Sequence, residues 1–306
     1  MKVLVTGGNG FIGSHVVTAL LEQGHEPVVF DRHVRKAPPG CELILGDVRD
    51  ATAVTEAVAH VEAVIHLAAV LGTQETIHNP RPAAETNVLG ALNVFEAVAE
   101  YELPAAYAAV GNYWMENTYS ISKTCAERFA RMFNQERGTQ IAVVRALNAY
   151  GPGQSVAAPF GPSKVRKIMP AFVCRALAGQ PIEIYGDGTQ VMDMVHVRDV
   201  ADVFVRALEV GPHPDGIPYE AGTGRPTTVL DIAQVVARDV EAKIDDRVQI
   251  THLPMRPGEP EHSIVLGDPE TLRPLYQGFP VLKTLEDSVP EVVDFYAQNV
   301  GVLWGW

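Results

Sequence analysis

The sequence predicts an α/β protein with a doubly wound parallel sheet and a smaller C-terminal α/β lobe. In the first half, short and continuously apolar β-rich runs alternate with segments whose apolar residues recur at helical spacing. Strands that are apolar throughout are buried on both faces, so helices must cover both sides of the sheet. After Gly151, Gly, Pro and Ser become frequent, which indicates an exposed connection into a second lobe.

Each element follows from its local pattern. The predicted strands of the first half are 2–6, 27–31, 41–45, 63–67, 104–110 and 140–146, and the predicted helices are 11–23, 51–60, 82–100 and 119–137. The second half is predicted to hold a strand at 182–185 and helices at 165–177, 197–208, 229–240 and 285–298. We expect residues 1–162 plus about 190–222 to form the larger domain, and about 163–189 plus 223–306 the smaller lobe.

Composition excludes several functional classes. The chain has 306 residues and a formal net charge of −13, which disfavours binding to nucleic acid. Its 3 cysteines show no CxxC spacing, so we expect neither a disulfide framework nor a metal site. The N-terminal apolar run is short and resembles a strand, and no apolar run is long enough to cross a membrane. A cytoplasmic location without membrane partners is the expectation.

A glycine-rich turn joins the first predicted strand to the first predicted helix. Gly7, Gly10 and Gly13 are spaced G-x-x-G-x-x-G. The first glycine permits a tight turn, the second lets the backbone approach a pyrophosphate, and the third lets the helix pack against the strand. The helix N-terminus then offers free N–H groups to the anion, so the turn predicts a dinucleotide site.

Asp31 lies at the end of the second predicted strand. A carboxylate in this place accepts hydrogen bonds from the adenosine ribose hydroxyls and repels a 2′-phosphate. The sequence therefore favours NAD over NADP, although the neighbouring Arg32 points weakly the other way.

Residues 6–15, TGGNGFIGSH, resemble the nucleotide-binding signature of extended short-chain dehydrogenases/reductases, the NAD-dependent epimerase/dehydratase family with a Rossmann fold. Further motifs resemble that family in its usual order: 46–48 (GDV), 66–69 (HLAA), 87–90 (NVLG), 145–152 (RALNAYGP), 186–190 (GDGTQ), 195–201 (VHVRDVA) and 256–259 (RPGE). The resemblance implies NAD-binding roles for Gly7, Gly10, Phe11, Ile12, Gly13, Asp31, Asp47, Val48, Leu67, Ala68, Ala69, Asn87, Tyr119 and Lys123.

Tyr119 and Lys123 form a Y-x-x-x-K pair on a predicted helix. Residues four apart share one helix face, about 5–6 Å apart at Cβ. A nearby ammonium stabilises a phenolate, so we expect Lys123 to lower the Tyr119 pKa and to make this tyrosine the general base and acid. The resemblance implies the same catalytic roles, and it lets Lys123 also hold the nicotinamide ribose.

One family feature is missing. A Ser or Thr that bonds the reacting oxygen usually follows the fifth strand, yet residues 109–111 read Ala-Val-Gly. Asn112, Thr118 or Ser120 are candidate substitutes. Glu116 is wrongly spaced to complete the acid pair of a sugar 4,6-dehydratase.

The substrate side also departs from the family. Asn148 and Arg256 match positions that contact a nucleotide diphosphate, and a guanidinium suits that role. Met192 replaces an arginine usual at the matching position; Lys164, Arg166 and Lys167 either compensate or form a solvated basic helix start. His196 is expected to be a structural strand residue.

The resemblance implies an NAD-dependent epimerase that removes and returns hydride at C4 of a UDP- or dTDP-linked sugar. The alternative is an NAD(H)-dependent reductase, dehydrogenase or dehydratase of a related sugar. A non-catalytic NAD-binding sensor is a third hypothesis, which the retained Tyr119 and Lys123 disfavour. Many relatives dimerise through the two long helices that correspond here to 82–100 and 119–137, so a homodimer is expected.

Overall fold

The computed structural model describes residues 1–33, 40–256, 260 and 262–303. It confirms the predicted fold class, because these residues contain a seven-stranded parallel sheet flanked by helices.

The strands follow one another along the chain as β1 (Lys2–Thr6), β2 (Glu26–Asp31), β3 (Glu42–Leu45), β4 (Ala63–His66), β5 (Pro104–Val110), β6 (Gln140–Ala146), β7 (Asn148–Tyr150), β8 (Ile182–Tyr185), β9 (Val191–Met192), β10 (Met194–His196), β11 (Tyr219–Ala221), β12 (Thr227–Thr228), β13 (Ile250–Leu253) and β14 (Ile264–Val265). All six strands predicted in the first half are present, with end shifts of one residue at most.

The helices are α1 (Phe11–Glu22), α2 (Ala51–Val58), α3 (Arg81–Ala84), α4 (Gly90–Glu100), α5 (Thr118–Arg137), α6 (Ile168–Leu177), α7 (Val197–Val210), α8 (Val229–Ile244), α9 (Arg273–Tyr276) and α10 (Leu285–Leu303), with a 3₁₀ turn at Pro269–Leu272. The single helix predicted over 82–100 is wrong in detail, because a π-helical turn at Glu85–Leu89 separates α3 from α4. The helix predicted from 165 begins only at Ile168, since Lys167 has an extended backbone.

The large sheet has the order β11-β6-β5-β4-β1-β2-β3, with every pair parallel. The chain moves outward from β1 through β2 to β3, and then returns to the other side of β1 with β4. The strand order therefore reverses between β1 and β4. In doubly wound sheets, ligands bind at the carboxyl ends of the strands beside such a reversal.

The chain forms two compact units. Unit 1 comprises Met1–Leu147, Val197–Ala221 and Asp268–Pro280, and unit 2 comprises Asn148–His196, Gly222–Gly267 and Val281–Trp306. Unit 1 contains the large sheet, with a core drawn from the strands and from α2, α4 and α5. Unit 2 contains small sheets, β10-β7, β12-β9-β14 and β13-β8, packed with α6, α8 and α10 around a second core. The domain boundaries inferred from the sequence stay a prediction.

Within the described residues, no helix is long and apolar enough to cross a membrane. The same part of the chain shows no group of three His, Cys, Asp or Glu residues arranged to hold a metal ion. All three cysteines, Cys41, Cys125 and Cys174, are free thiols.

Candidate active site

The glycine turn lies between β1 and α1 in unit 1. Gly7 has φ +71°, and a Cβ there would lie 2.8 Å from the Ala68 nitrogen. A Cβ at Gly13 would lie 2.1 Å from the Gly7 carbonyl oxygen, so the helix can start this close to the turn only with glycine. Gly10 precedes the first residue of α1, and no side chain caps that helix. The first-turn N–H groups of α1 are thus left for a ligand, the arrangement that suits a pyrophosphate.

Asp31 ends β2 beside this turn. Its carboxylate accepts hydrogen bonds from the Asn9 nitrogen at 3.2 Å and from the His33 nitrogen at 3.1 Å. The Asn9 side chain in turn donates to the His33 carbonyl oxygen at 2.6 Å. These bonds place the carboxylate at the carboxyl end of the sheet, next to the glycine turn.

Asp47 and Val48 follow β3. Arg49 donates to the Asp47 carboxylate at 2.6 Å, and its hydrogen bonds hold the Asp47 pKa below the usual range. Val48 is 3% exposed and its side chain belongs to the core of unit 1, while its carbonyl oxygen accepts from Asn93 at 2.8 Å. Asp47 therefore presents an ionised group, whereas Val48 anchors the segment.

Leu67, Ala68 and Ala69 follow β4 at the reversal of strand order. The Ala68 nitrogen donates to the Thr6 hydroxyl at 3.3 Å, which fixes this segment against β1. The same hydroxyl contacts His66 Nδ1 at 2.7 Å. Phe11 and Ile12 begin α1 on the opposite side of the glycine turn and are partly buried.

Asn87 lies in the π-helical turn and is 1% exposed. Its amide accepts from the Val70 nitrogen at 2.8 Å and donates to the Val70 carbonyl oxygen at 3.1 Å. It also donates to Ser122 Oγ at 3.0 Å. A π-helical turn presents its side chains differently from an α-helix and is frequent at functional sites. Asn87 thereby joins the segment after β4 to helix α5.

Tyr119 and Lys123 both lie in the first two turns of α5. The helix begins at Thr118 because Asn117 caps it, its side chain accepting from the Ser120 nitrogen at 3.0 Å. Lys123 is 2% exposed, and burial lowers its pKa to about 7 even though Glu127 acts to raise it. Burial raises the pKa of Tyr119 to about 12. Desolvation of the phenolate causes that rise, so the lowered tyrosine pKa expected from the sequence is not seen here, and the catalytic role of Tyr119 stays a prediction.

The Lys123 ammonium lies over the aromatic ring of Tyr107. Its Nζ lies 4.3 Å from the centroid of the Tyr107 ring, and the Tyr107 hydroxyl donates to the Lys123 carbonyl oxygen at 3.2 Å. His66 stacks on the Tyr107 ring, with the two ring centroids 5.7 Å apart. The face of a tyrosine ring attracts a cation, so Tyr107 partly offsets the desolvation of Lys123.

The expected hydroxyl is missing from the segment after β5. A Cβ at Gly111 would lie 2.4 Å from Leu147 Cδ1, so a side chain at this position requires Leu147 to move. Of the substitutes named from the sequence, Thr118 donates to the Thr76 carbonyl oxygen at 3.2 Å. Ser120 is fully buried and donates to Asn112 Oδ1 at 3.3 Å. Asn112 and Thr118 are both partly exposed.

The residues predicted for substrate binding lie in unit 2. The Arg256 guanidinium lies 4.6 Å from the centroid of the Tyr185 ring, and Arg166 Nη1 donates to the Tyr185 hydroxyl at 2.6 Å. Two guanidiniums thus meet at one tyrosine. Asn148 donates through its side chain to the Asp193 carbonyl oxygen at 3.3 Å. Residues 257–259 of the RPGE motif lie outside the described residues.

Met192 and His196 have structural surroundings. Met192 lies in β9 and packs against the core of unit 2. His196 is fully buried in β10, with Nε2 3.0 Å from a Glu291 carboxylate oxygen and its ring 5.8 Å from that of Tyr150. These contacts agree with a structural histidine.

Sequence reasoning missed two buried acids. Glu127 is 2% exposed and pairs with Arg145 at 2.7 Å; its position four residues after Lys123 was the available signal. Asp193 is fully buried in an apolar stretch, and an acid in such a stretch was the signal there. Its carboxylate accepts from the Thr223 nitrogen and hydroxyl at 2.8 and 2.7 Å, the Gly224 nitrogen at 2.9 Å and the Gly267 nitrogen at 3.0 Å.

The sequence model of the NAD dependent epimerase/dehydratase family matches residues 3–222. The chain belongs to this family. It is therefore an NAD-dependent enzyme of the extended short-chain dehydrogenase/reductase type, which confirms the resemblance and the cofactor expected from the glycine turn and Asp31.

Individual relatives of this family member carry several activities. The chain is 31% identical over 260 residues to a Methanocaldococcus jannaschii protein provisionally named UDP-glucose 4-epimerase, covering 78% of this chain and 82% of that protein. It is 30% identical over 267 residues to the dTDP-4-dehydro-6-deoxy-D-allose reductase of Streptomyces bikiniensis, covering 76% and 79%. The solved Thermus thermophilus UDP-glucose 4-epimerase with NAD superposes with a TM-score of 0.82 at 28% identity, covering 97% of this chain and 99% of that one.

Proposed function

We propose that this family member is a nucleotide-sugar 4-epimerase, which removes hydride at sugar C4 and returns it to the opposite face. The observation that carries the proposal is the Tyr119–Lys123 pair at the start of α5, with Lys123 buried beside Tyr107 and His66. The similarity to proteins named as UDP-glucose 4-epimerases supports it. In this proposal the substrate is a sugar linked to UDP or dTDP.

The residues of unit 1 fit NAD. Gly7 lets the turn lie against the segment after β4, Gly13 lets α1 begin against Gly7, and the first N–H groups of α1, which no side chain caps, suit the pyrophosphate. Asp31 would bind the adenosine ribose, and Asp47 and Val48 would contact the adenine. The segment Leu67–Ala69 and Asn87 would line the rest of the cofactor pocket. NAD, when bound, supplies the hydride acceptor and donor together with a positive charge at its oxidised nicotinamide.

Tyr119 exchanges the proton of the sugar C4 hydroxyl in this proposal. With its pKa raised to about 12, the phenol is protonated in the structure as described, so it needs added positive charge to act as a base. Lys123 provides part of that charge in its ammonium form. Its pKa of about 7 makes that form sensitive to pH near neutrality.

The substrate diphosphate is assigned to Arg256 and Asn148. Arg166 reaches the same tyrosine as Arg256, and a guanidinium there adds positive charge where Met192 contributes none. We assign Arg166 to the compensating role considered from the sequence. Lys164 and Lys167 precede helix α6, and the proposal gives them no role in binding.

The test is a product assay by proton NMR. Purified protein and NAD are incubated with a panel of UDP- and dTDP-sugars, and the anomeric protons are followed. A new nucleotide-sugar signal without net NADH supports the epimerase. No change across the panel, with NAD still bound, would contradict it for these sugars.

Tyr119→Phe is the matched variant for this assay, because it removes one hydroxyl and keeps the ring. We expect turnover to fall by about 100-fold or more, while NAD affinity changes little. Unchanged turnover in this variant would contradict the role of Tyr119 as the proton carrier.

A second candidate is a reductase or dehydrogenase of a related sugar. It is favoured by the segment 109–111, which offers no hydroxyl to the reacting oxygen, and by the similarity to a dTDP-4-dehydro-6-deoxy-D-allose reductase. Stoichiometric formation or consumption of NADH in the same assay would identify it.

A further inference from the structure

A chain of buried charges extends from Lys123 to the edge strand of the large sheet. Lys123 and Glu127 lie one helical turn apart on α5, and each is 2% exposed. Residues four apart on a helix share a face, so the carboxylate and the ammonium belong to one neighbourhood. Neither charge is stable in such a place without partners.

Arg145 on β6 donates hydrogen bonds to both oxygens of the Glu127 carboxylate. Its Nε donates to one oxygen at 3.0 Å and its Nη2 to the other at 2.7 Å. The third nitrogen, Nη1, donates to Glu220 on β11 at 3.1 Å. The guanidinium also lies 3.9 Å from the centroid of the Tyr113 ring, which shields it from water. This bidentate geometry fixes the position of the carboxylate.

The groups around Lys123 come from three elements, β4, β5 and α5. Tyr107 on β5 faces it with its ring, His66 on β4 stacks on Tyr107, and Tyr119 and Glu127 lie one helical turn before and after it on α5. Cys125 lies between them on the same helix. His66 is neutral because burial lowers its pKa to about 3. In this set Glu127 supplies the negative charge, and it acts against the burial that drives Lys123 toward the neutral amine.

We propose that Glu127 is a positioning residue of the reaction: its carboxylate, fixed by Arg145, keeps Lys123 in the charged form that Tyr119 and the cofactor ribose require. The inference rests on the proposed roles of Tyr119 and Lys123. Arg145 and Glu220 act one step further away, by orienting and balancing the charge of Glu127.

Glu127→Gln tests this proposal, with Glu220→Gln as the matched control. Both variants remove one carboxylate partner of Arg145, but only the first removes the anion on the Lys123 helix face. The direct readout is the titration of Lys123 in the NAD-bound protein, followed by NMR with ¹³Cε-labelled lysine and assigned by comparison with Lys123→Met.

We expect Glu127→Gln to move the Lys123 midpoint down by about 1 pH unit or more, because an opposite charge within about 4–6 Å favours the charged form by that amount. Glu220→Gln should move it much less. Equal midpoints in the wild type and Glu127→Gln, or equal shifts in both variants, would overturn the proposal. If Glu127→Gln does not fold, Glu127→Asp decides: withdrawal of the carboxylate by one methylene should lower the midpoint, and an unchanged midpoint overturns the idea.

The pH dependence of turnover provides the second readout. Wherever the wild type turns over a nucleotide sugar, Glu127→Gln should move the lysine-dependent limb of its kcat profile in the same direction as the NMR midpoint. Because the NMR titration needs no turnover, absence of epimerase activity would contradict the proposed function without deciding the role of Glu127.

Discussion

At the residue scale, this enzyme places several ionisable side chains in a dry interior. Lys123, Glu127 and His66 are each at most 2% exposed. Burial favours the neutral form of a group that has no partner, and a nearby opposite charge favours the ionised form. His66 follows the first rule, because burial lowers its pKa to about 3. Burial also lowers the Lys123 pKa, to about 7, and the Glu127 carboxylate acts against that fall.

His66 predicts an acid-sensitive term in stability. Its pKa is lowered from 6.5 to about 3 in the folded state, so between these values the unfolded chain binds more protons than the folded chain. Its contribution to stability is therefore fully present above pH 6.5 and is lost as the pH falls toward 3.

His66→Asn should remove this term. An Asn amide can keep the bond to Thr6 but does not titrate, so we expect the difference in unfolding free energy between wild type and variant to change by up to about 1.4 kcal/mol per pH unit in this window. Urea unfolding followed by circular dichroism at several pH values measures it. Parallel curves of unfolding free energy against pH for the two proteins would show that His66 does not cause the acid sensitivity.

At the element scale, helix α1 depends on a glycine that tolerates no side chain. In Gly13→Val, the valine Cβ would lie 2.1 Å from the Gly7 carbonyl oxygen. The atoms around it belong to the backbone of the turn, so no side chain can move aside to make room. We expect α1 to move away from β1, with NAD affinity reduced at least tenfold and stability reduced by about 1–3 kcal/mol. Isothermal titration with NAD and thermal unfolding measure the two effects.

Thr18→Ala on the exposed face of the same helix is the control for Gly13→Val, and it should change neither NAD affinity nor stability substantially. An affinity in Gly13→Val equal to that of the control would argue against the close approach of helix and turn.

The short strands of unit 2 depend on Asp193. This buried carboxylate accepts four hydrogen bonds from the segments around Thr223 and Gly267. Asp193→Asn replaces one acceptor oxygen by a donor that would face N–H groups, so we expect a loss of about 3–5 kcal/mol in unfolding free energy. Denaturant unfolding measures it, with the exposed Asp187→Asn as a control that should cost less than about 1 kcal/mol.

At the scale of the whole molecule, the expected homodimer is a proposal based on the resemblance. Ile121 on α5 is 54% exposed and Leu89, just before α4, is 55% exposed, so these helices carry apolar side chains on their outer surface. If these helices form the interface, Ile121→Asp should convert a dimer into monomers in size-exclusion chromatography with light scattering. Val210→Asp, at a 50% exposed site on α7, should leave the mass unchanged. A wild-type monomer would contradict the proposal outright.

The sequence by itself determined the fold class, the family and the identity of the candidate cofactor and catalytic residues. These features are local: apolar periodicity gives strands and helices, glycine spacing gives the turn after β1, and a separation of four residues places Tyr119 and Lys123 on one helix face. The sequence did not predict the π-helical turn at Asn87. The side chain of Asn87 bonds to Val70 and Ser122, which are distant in the sequence, so no local pattern reveals these contacts.

Only the tertiary structure decided the electrostatic state of the site. Three features of the site join residues that are far apart in the sequence. They are the contact of the Lys123 ammonium with the Tyr107 ring, the Glu127–Arg145–Glu220 ion pairs, and the approach of the Leu147 side chain to Gly111. Desolvation and charge pairing depend on distance in space, and no spacing along the chain specifies them. For that reason, the sequence could name Tyr119 and Lys123 but not their pKa values.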